Sequence, residues 1–211
     1  MSTLTDVAVD EQAPEPVEAP SRHGSLPWVM LIGGAIGLIA AVTLLLEKIK
    51  LLEDPNYVPS CSINPILSCG TVMKTEQAGV FGFPNPVLGL IGFAVVIATG
   101  AALLAGARLA RWYWLGLQAG VIAGVVFIGW LAFQSLYRIG ALCPYCMVVW
   151  TVTLLIAWWV TARTAETGVL GLPSRAGEAV ADYRGLLLGA SYLLIVVLAF
   201  LRFQDYWLSL L

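Results

Sequence analysis

The chain has 211 residues, 59% of them hydrophobic and only 11% charged, against about 25% charged in an ordinary soluble domain. That composition excludes a water-soluble globular fold and points to an all-α membrane protein. A formal net charge of −2 with no basic patch gives no sign of a nucleic-acid partner.

Residues 1–25 carry Asp6, Asp10, Glu11, Glu15 and Glu18, with Pro14, Pro16 and Pro20 and no aromatic side chain, and read as a disordered tail. The first apolar run follows this acidic stretch and continues into Glu47-Lys48, the pattern of a retained anchor and not of a cleaved signal peptide. Five segments lack Asp, Glu, Lys and Arg for about the length of a spanning helix: 26–46, 77–107, 112–137, 139–162 and 185–201. Glycines recur at three- or four-residue spacing in the first and third (Gly33, Gly34, Gly37; Gly116, Gly120, Gly124, Gly129), a pattern that permits close helix packing.

Between the first two spans lies a polar loop, 47–83, holding Cys61 and Cys69. A disulfide can close across the short turn between them if the backbone brings the Cα atoms within about 6 Å, either as a staple or as a working bond. Gly79 to Pro86 leads into the second span. There Asn85 either caps the helix, with Pro86 at its first position, or offers its amide to a ligand. Very short turns at Arg108–Arg111 and Tyr137–Gly140 make spans two, three and four antiparallel neighbours. Cys143-Pro144-Tyr145-Cys146 then opens the fourth span. The two cysteines are either small buried hydrophobes or a redox or metal unit at a helix N-terminus, where the macrodipole lowers the Cys143 pKa.

Helix parity places all four sulfurs at one membrane face. Arg22, Arg108, Arg111 and the 163–184 loop with Arg163, Arg175 and Arg184 fall on the other face, six basic residues against five. That excess and the redox compartment together predict a cytoplasmic N-terminus and extracytoplasmic cysteines. The fifth span carries no reactive group and reads as scaffold, and 204–207 has the aromatic character of an interfacial belt. A four-thiolate zinc site and a transporter or structural protein stapled by two disulfides compete with a redox role. The Cys61–Cys69 spacing is wide for zinc, and the spans lack the ionisable residues that transport usually needs.

A separated cysteine pair in the first loop and C-x-x-C at the start of the fourth span resemble the vitamin K epoxide reductase (VKOR) family, in particular its bacterial members. The resemblance covers roughly residues 26–162. It rests on the four cysteines, Phe81, Asn85 in Pro-Asn-Pro-Val-Leu-Gly, and the Cys143-Pro144-Tyr145-Cys146 motif. The DsbB proteins share the chemistry but carry the two pairs in the opposite order. The resemblance implies a thiol:quinone oxidoreductase of the bacterial cytoplasmic membrane, with four helices bundled around a quinone (menaquinone or ubiquinone) and the fifth, 185–211 with its tail, peripheral. By position, Cys61 would exchange with a thioredoxin-like (DsbA-like) partner, Cys69 would attack Cys143, and Cys146 would deliver electrons to the quinone. Asn85 would hydrogen-bond a quinone carbonyl, and Phe81 would sit near the ring. Thr75 stands where a loop serine is usual and Trp150 where animal enzymes have tyrosine, which favours quinone reduction over epoxide reduction. Many bacterial members carry a fused thioredoxin-like domain after the fifth helix; the sequence stops at Leu211 without one, implying a separate partner protein. No resident metal is implied.

Overall fold

The computed structural model describes residues 24–64 and 66–204, so most of the acidic 1–25 tail and the aromatic belt at Asp205, Tyr206 and Trp207 lie outside the described residues. Five helices are long and apolar enough to cross a membrane, and no strand forms among the described residues; this is an all-α membrane protein. They are α1 (Leu26–Glu53), α3 (Pro86–Leu104), α4 (Arg111–Phe133, extended by a π-helical turn, Gln134–Ile139), α5 (Pro144–Glu166) and α7 (Arg184–Arg202). Two short helices join them, α2 (Cys69–Met73) and α6 (Ser174–Asp182).

The helices depart from the charge-free windows where side chains find partners or the backbone is forced to turn. α1 runs on past Leu46 to Glu53, giving it 28 residues. At 1.5 Å per residue that is about 42 Å, longer than the hydrocarbon slab, so its last turns stand clear of the slab carrying Glu47 and Lys48. α3 begins at Pro86 and not at Gln77. Residues Glu76–Gly79 form a 3-10 turn, Gly82 takes the left-handed φ of 81°, and Pro84 and Pro86 set the approach to the helix. The 163–184 segment is largely helical: α5 continues to Glu166, and α6 lies back on α5 with Gly177 against the Ala165 carbonyl.

α1 packs on α3 and α5, and α4 packs on α5, while α3 and α4 scarcely touch. A buried polar clasp helps hold α4 to α5: Gln118 Nε2 donates to Thr161 Oγ1 at 2.9 Å, and Thr164 Oγ1 donates to Gln118 Oε1 at 2.9 Å. α7 buries none of its residues and is peripheral. It is tied to the bundle by Tyr192 Oη donating to Thr151 O (2.8 Å), Trp158 Nε1 donating to Ser191 Oγ (3.1 Å) and Arg202 Nε donating to Leu136 O (2.9 Å).

The glycines of the first and third spans differ. In α1 they are closely packed: a Cβ on Gly34 would fall 2.8 Å from Ile97, and one on Gly37 would collide with the Phe93 ring. On α4, Gly116, Gly120 and Gly129 have nothing within 4 Å of a Cβ, and Gly124 meets only the Thr153 methyl at 3.7 Å. The expectation of helix packing therefore fails for α4. Its Gly116, Gly120 and Gly124 instead line a cavity of about 530 Å³ between α3 and α4, together with Gly89 and Gly92 of α3.

Candidate active site

Local sequence explains how the loop cysteines reach the helix cysteines. Asn64 Oδ1 accepts from Ile66 N (3.0 Å) and Leu67 N (2.7 Å), an Asx-type turn that reverses the chain. The returning segment pairs in parallel with the residues before α5: Leu142 N donates to Ile66 O (2.7 Å), and Ser68 N donates to Leu142 O (2.9 Å). Cys69 and Cys143 follow this clip directly. Ser68 Oγ caps α2 by accepting from Thr71 N at 3.3 Å, and Cys143 is the N-cap of α5 with Pro144 in the first turn, as the sequence suggested.

Cys61 and Cys69 form a disulfide with Cα atoms 5.5 Å apart, and Cys143 and Cys146 are free thiols. The Cys69 and Cys143 sulfurs lie 3.0 Å from each other. Cys69 is 0% and Cys143 1% exposed, so this contact is shut off from water, and Cys61 at 5% is nearly so. The Cys143 sulfur accepts from the Cys146 backbone N–H at 3.4 Å. Its pKa is lowered below the ordinary thiol value, first by the hydrogen bond from the Cys146 side chain and further by the backbone N–H groups of Cys146 and Tyr145, with burial opposing. Cys146, one turn on, is half-buried and lines the cavity. The sulfurs of Cys61, Cys69 and Cys143 lie within 4.8 Å of one another, the feature a zinc site would share. The Cys61–Cys69 bond occupies two of those three sulfurs, and Cys146 stands outside the group.

Two residues that sequence reasoning passed over hold the loop in place. Glu47, 6% exposed at the end of α1, accepts from Ser60 Oγ at 2.9 Å and from Ser60 N at 3.4 Å, next to Cys61. Lys48 Nζ donates to Met73 O at 2.6 Å, at the far end of α2. The signal was present in the sequence as Glu-Lys at the close of an otherwise uncharged run.

The cavity extends from Cys146 and Asn85 at the cysteine end toward Trp112 and Tyr113 at the opposite end, and its volume falls within the range of about 300–1,000 Å³ usual for small-molecule sites. Asn85 lines it and does not cap α3 with its side chain. Its Nδ2 donates to Gln77 O (2.7 Å) and its Oδ1 accepts from Val80 N (3.2 Å), leaving one amide hydrogen uncommitted to Gln77. Thr75 also lines the cavity, its hydroxyl donating to Val72 O at 2.7 Å. Trp150 lines it from α5, 4% exposed. Phe81 is not part of the wall; 58% exposed, it lies against Phe127, which is, with ring centroids 5.9 Å apart. Gln134 and Ser135, in the π-helical turn, join the lining without having been singled out in the sequence.

A disulfide in contact with a dithiol, one of whose thiols faces an apolar cavity in a helical bundle, defines a redox membrane protein. A family comparison agrees in class and in extent: residues 28–161 match the vitamin K epoxide reductase family, well over half of the chain. The chain belongs to that family, and so to the oxidoreductases. A search of curated proteins gave no match.

Proposed function

We propose that this protein is a thiol:quinone oxidoreductase that takes electrons from a separate thioredoxin-like (DsbA-like) protein outside the cytoplasm. It passes them to menaquinone or ubiquinone in the bacterial cytoplasmic membrane, so that disulfides form in extracytoplasmic proteins. The observation that carries the reading is the 3.0 Å approach of Cys69 to Cys143, with Cys146 one turn away on the cavity wall. Quinone reduction, and not epoxide reduction, is favoured by Trp150 at the position of the animal tyrosine.

Each transfer in this scheme is a thiolate attack on a disulfide. A partner thiolate attacks Cys61, the Cys61–Cys69 bond breaks, and the partner's second thiolate resolves the mixed disulfide, leaving Cys61 and Cys69 reduced. Cys69 then attacks Cys143 of an oxidised Cys143–Cys146 pair, releasing Cys146. Attack by Cys61 on Cys69 restores the loop disulfide and frees Cys143. The observed pairing, disulfide at 61–69 and thiols at 143 and 146, corresponds to this last state. A bound quinone supplies the acceptor for the two electrons and two protons given up when Cys143 and Cys146 rejoin. Asn85 would donate to one of its oxygens, an interaction that strengthens as charge develops there.

The test is a trap. With Cys61 and Cys146 both changed to Ala, Cys69 and Cys143 should form a stable disulfide on mild oxidation in intact membranes. Failure of the pair to cross-link would overturn the relay. Cysteines introduced at 108 and 175, in a background lacking the native four, should resist an impermeant label applied outside intact cells. Ready labelling would reverse the proposed topology.

A further inference from the structure

We infer that the Ser135 hydroxyl is the second polar contact of the quinone ring, serving the carbonyl oxygen opposite the one that Asn85 serves. The inference rests on the quinone-reductase reading above. Ser135 is 4% exposed, lines the cavity, and has no hydrogen-bond partner for its hydroxyl among the described residues. A buried hydroxyl without a partner is unfavourable, and one at a cavity wall is accounted for by a ligand.

The backbone supports the assignment. Ser135 lies in the π-helical turn that ends α4, where Gly140 N donates to Ser135 O at 3.0 Å across five residues. Such a turn inserts one residue into the helical register and so re-aims the side chains around it, and single π turns concentrate at functional sites. Asn85 at the start of α3, Ser135 at the end of α4 and Cys146 in the first turn of α5 share the cysteine end of the cavity, with α3 and α4 forming separate walls. A ring with two opposed carbonyl groups and a thiol beside it fits that placement.

The chemistry selects Ser135 over its rival. The Trp150 indole N–H is also buried at the wall and without a partner among the described residues. An indole N–H can only donate, which suits a quinone oxygen but cannot accept the O–H of a hydroquinone. A hydroxyl donates to the first and accepts from the second, and is itself unchanged by turnover. Cys143 and Cys146 lose two electrons and two protons on forming their disulfide, and the quinone gains both to become the hydroquinone; Ser135 contributes only hydrogen bonds.

The experiment compares Ser135→Thr with Ser135→Val in the full chain, two side chains of nearly equal size that differ in the hydroxyl. Ser135→Ala repeats the comparison without added bulk. Ubiquinone-1 is the probe, read by the carbonyl stretching bands of the bound quinone in infrared difference spectra and by KM and kcat with a small dithiol as reductant. Ser135→Thr should keep both shifted carbonyl bands. Ser135→Val and Ser135→Ala should return one band toward its free frequency and lower kcat/KM about tenfold or more, while Asn85→Ala moves the other band. Equal behaviour of the Thr and Val variants overturns the assignment, as does finding that Trp150→Phe, and not Ser135→Val, moves the band that Asn85→Ala leaves in place. A wild-type protein that neither binds nor reduces ubiquinone-1 sinks the underlying quinone reading, a result distinct from either.

Discussion

The two cysteine pairs are built in opposite ways. The loop pair is eight residues apart and is held by polar contacts that a loop can break and remake: Glu47 to Ser60, Lys48 to the Met73 carbonyl, and the Asn64 turn. The helix pair sits on the first turn of α5, fixed by a packed bundle, with one sulfur toward the loop pair and the other toward the cavity. A relay needs one pair that moves between partners and one that stays. A net hydrogen bond is worth only about 0.5–1.5 kcal/mol, so a segment held by a few of them opens far more readily than a helix held by a core. In the proposed relay the loop is therefore the shuttling element.

The contrast is broken most severely by removing single sulfurs. Cys143→Ala or Cys146→Ala should reduce quinone-linked turnover to background with any reductant, measured as thiol-dependent quinone bleaching. Cys61→Ala or Cys69→Ala should do so only with a protein dithiol and retain turnover with a small dithiol able to reach the helix pair. Loop variants equally dead with both reductants would end the division of labour.

Asn85 sharpens the contrast on the cavity side. Asn85→Ala should slow quinone reduction by one to three powers of ten, roughly 1.4–4 kcal/mol, while leaving transfer from the loop pair to the helix pair intact. Stopped-flow measurement of the two half-reactions separates them. Because its amide also bridges Gln77 and Val80, some loosening of that turn should accompany the loss.

On the loop side, Glu47→Ala leaves Ser60 without its carboxylate and should free the segment around Cys61. Reduction of the Cys61–Cys69 bond by dithiothreitol should accelerate about 5–30-fold, the equivalent of roughly 1–2 kcal/mol of lost holding energy. An unchanged rate would mean that Cys61 is shielded by something other than this latch.

The smallest effect concerns pH. The Cys143 thiol, lowered chiefly by its hydrogen bond from Cys146, is a thiolate at a lower pH than an ordinary thiol. Its exchange with a small disulfide, in a background lacking Cys61 and Cys69, should therefore already be fast below the usual thiol range. Cys146→Ala removes the main stabilising contact and should move that rate profile to higher pH. A profile that stays in place would assign the lowering to the backbone N–H groups alone.

Much of this was legible in the residues because hydrophobic runs and cysteine spacing are local signals. The five spans and the C-x-x-C at a helix start follow from them, and the peripheral place of the fifth helix was implied by the family resemblance. The 66–68 to 142 clip and the Glu47 and Lys48 latches were not legible, since each joins positions far apart in sequence through hydrogen bonds that no spacing encodes. Asn85 was readable as a polar amide near a helix start but not as a bridge within its own preceding turn. Ser135 was hidden because an isolated serine near a helix end is ordinary until a cavity is found beside it.

The glycines of α4 carry one more consequence. Each costs roughly 0.8–1 kcal/mol of helix preference relative to alanine. Unlike Gly34 and Gly37 of α1, those on the cavity wall recover nothing by close packing, since no neighbour lies within 3.4 Å of a Cβ on Gly116, Gly120 or Gly124. On the proposed quinone reading, ruggedness and turnover are thus set against each other along one helix face. A selection for heat-resistant variants should return larger residues at these positions, proteins that survive detergent longer and accept long-chain quinones poorly. The same replacement at Gly37 meets the Phe93 ring and should be lost from such a selection.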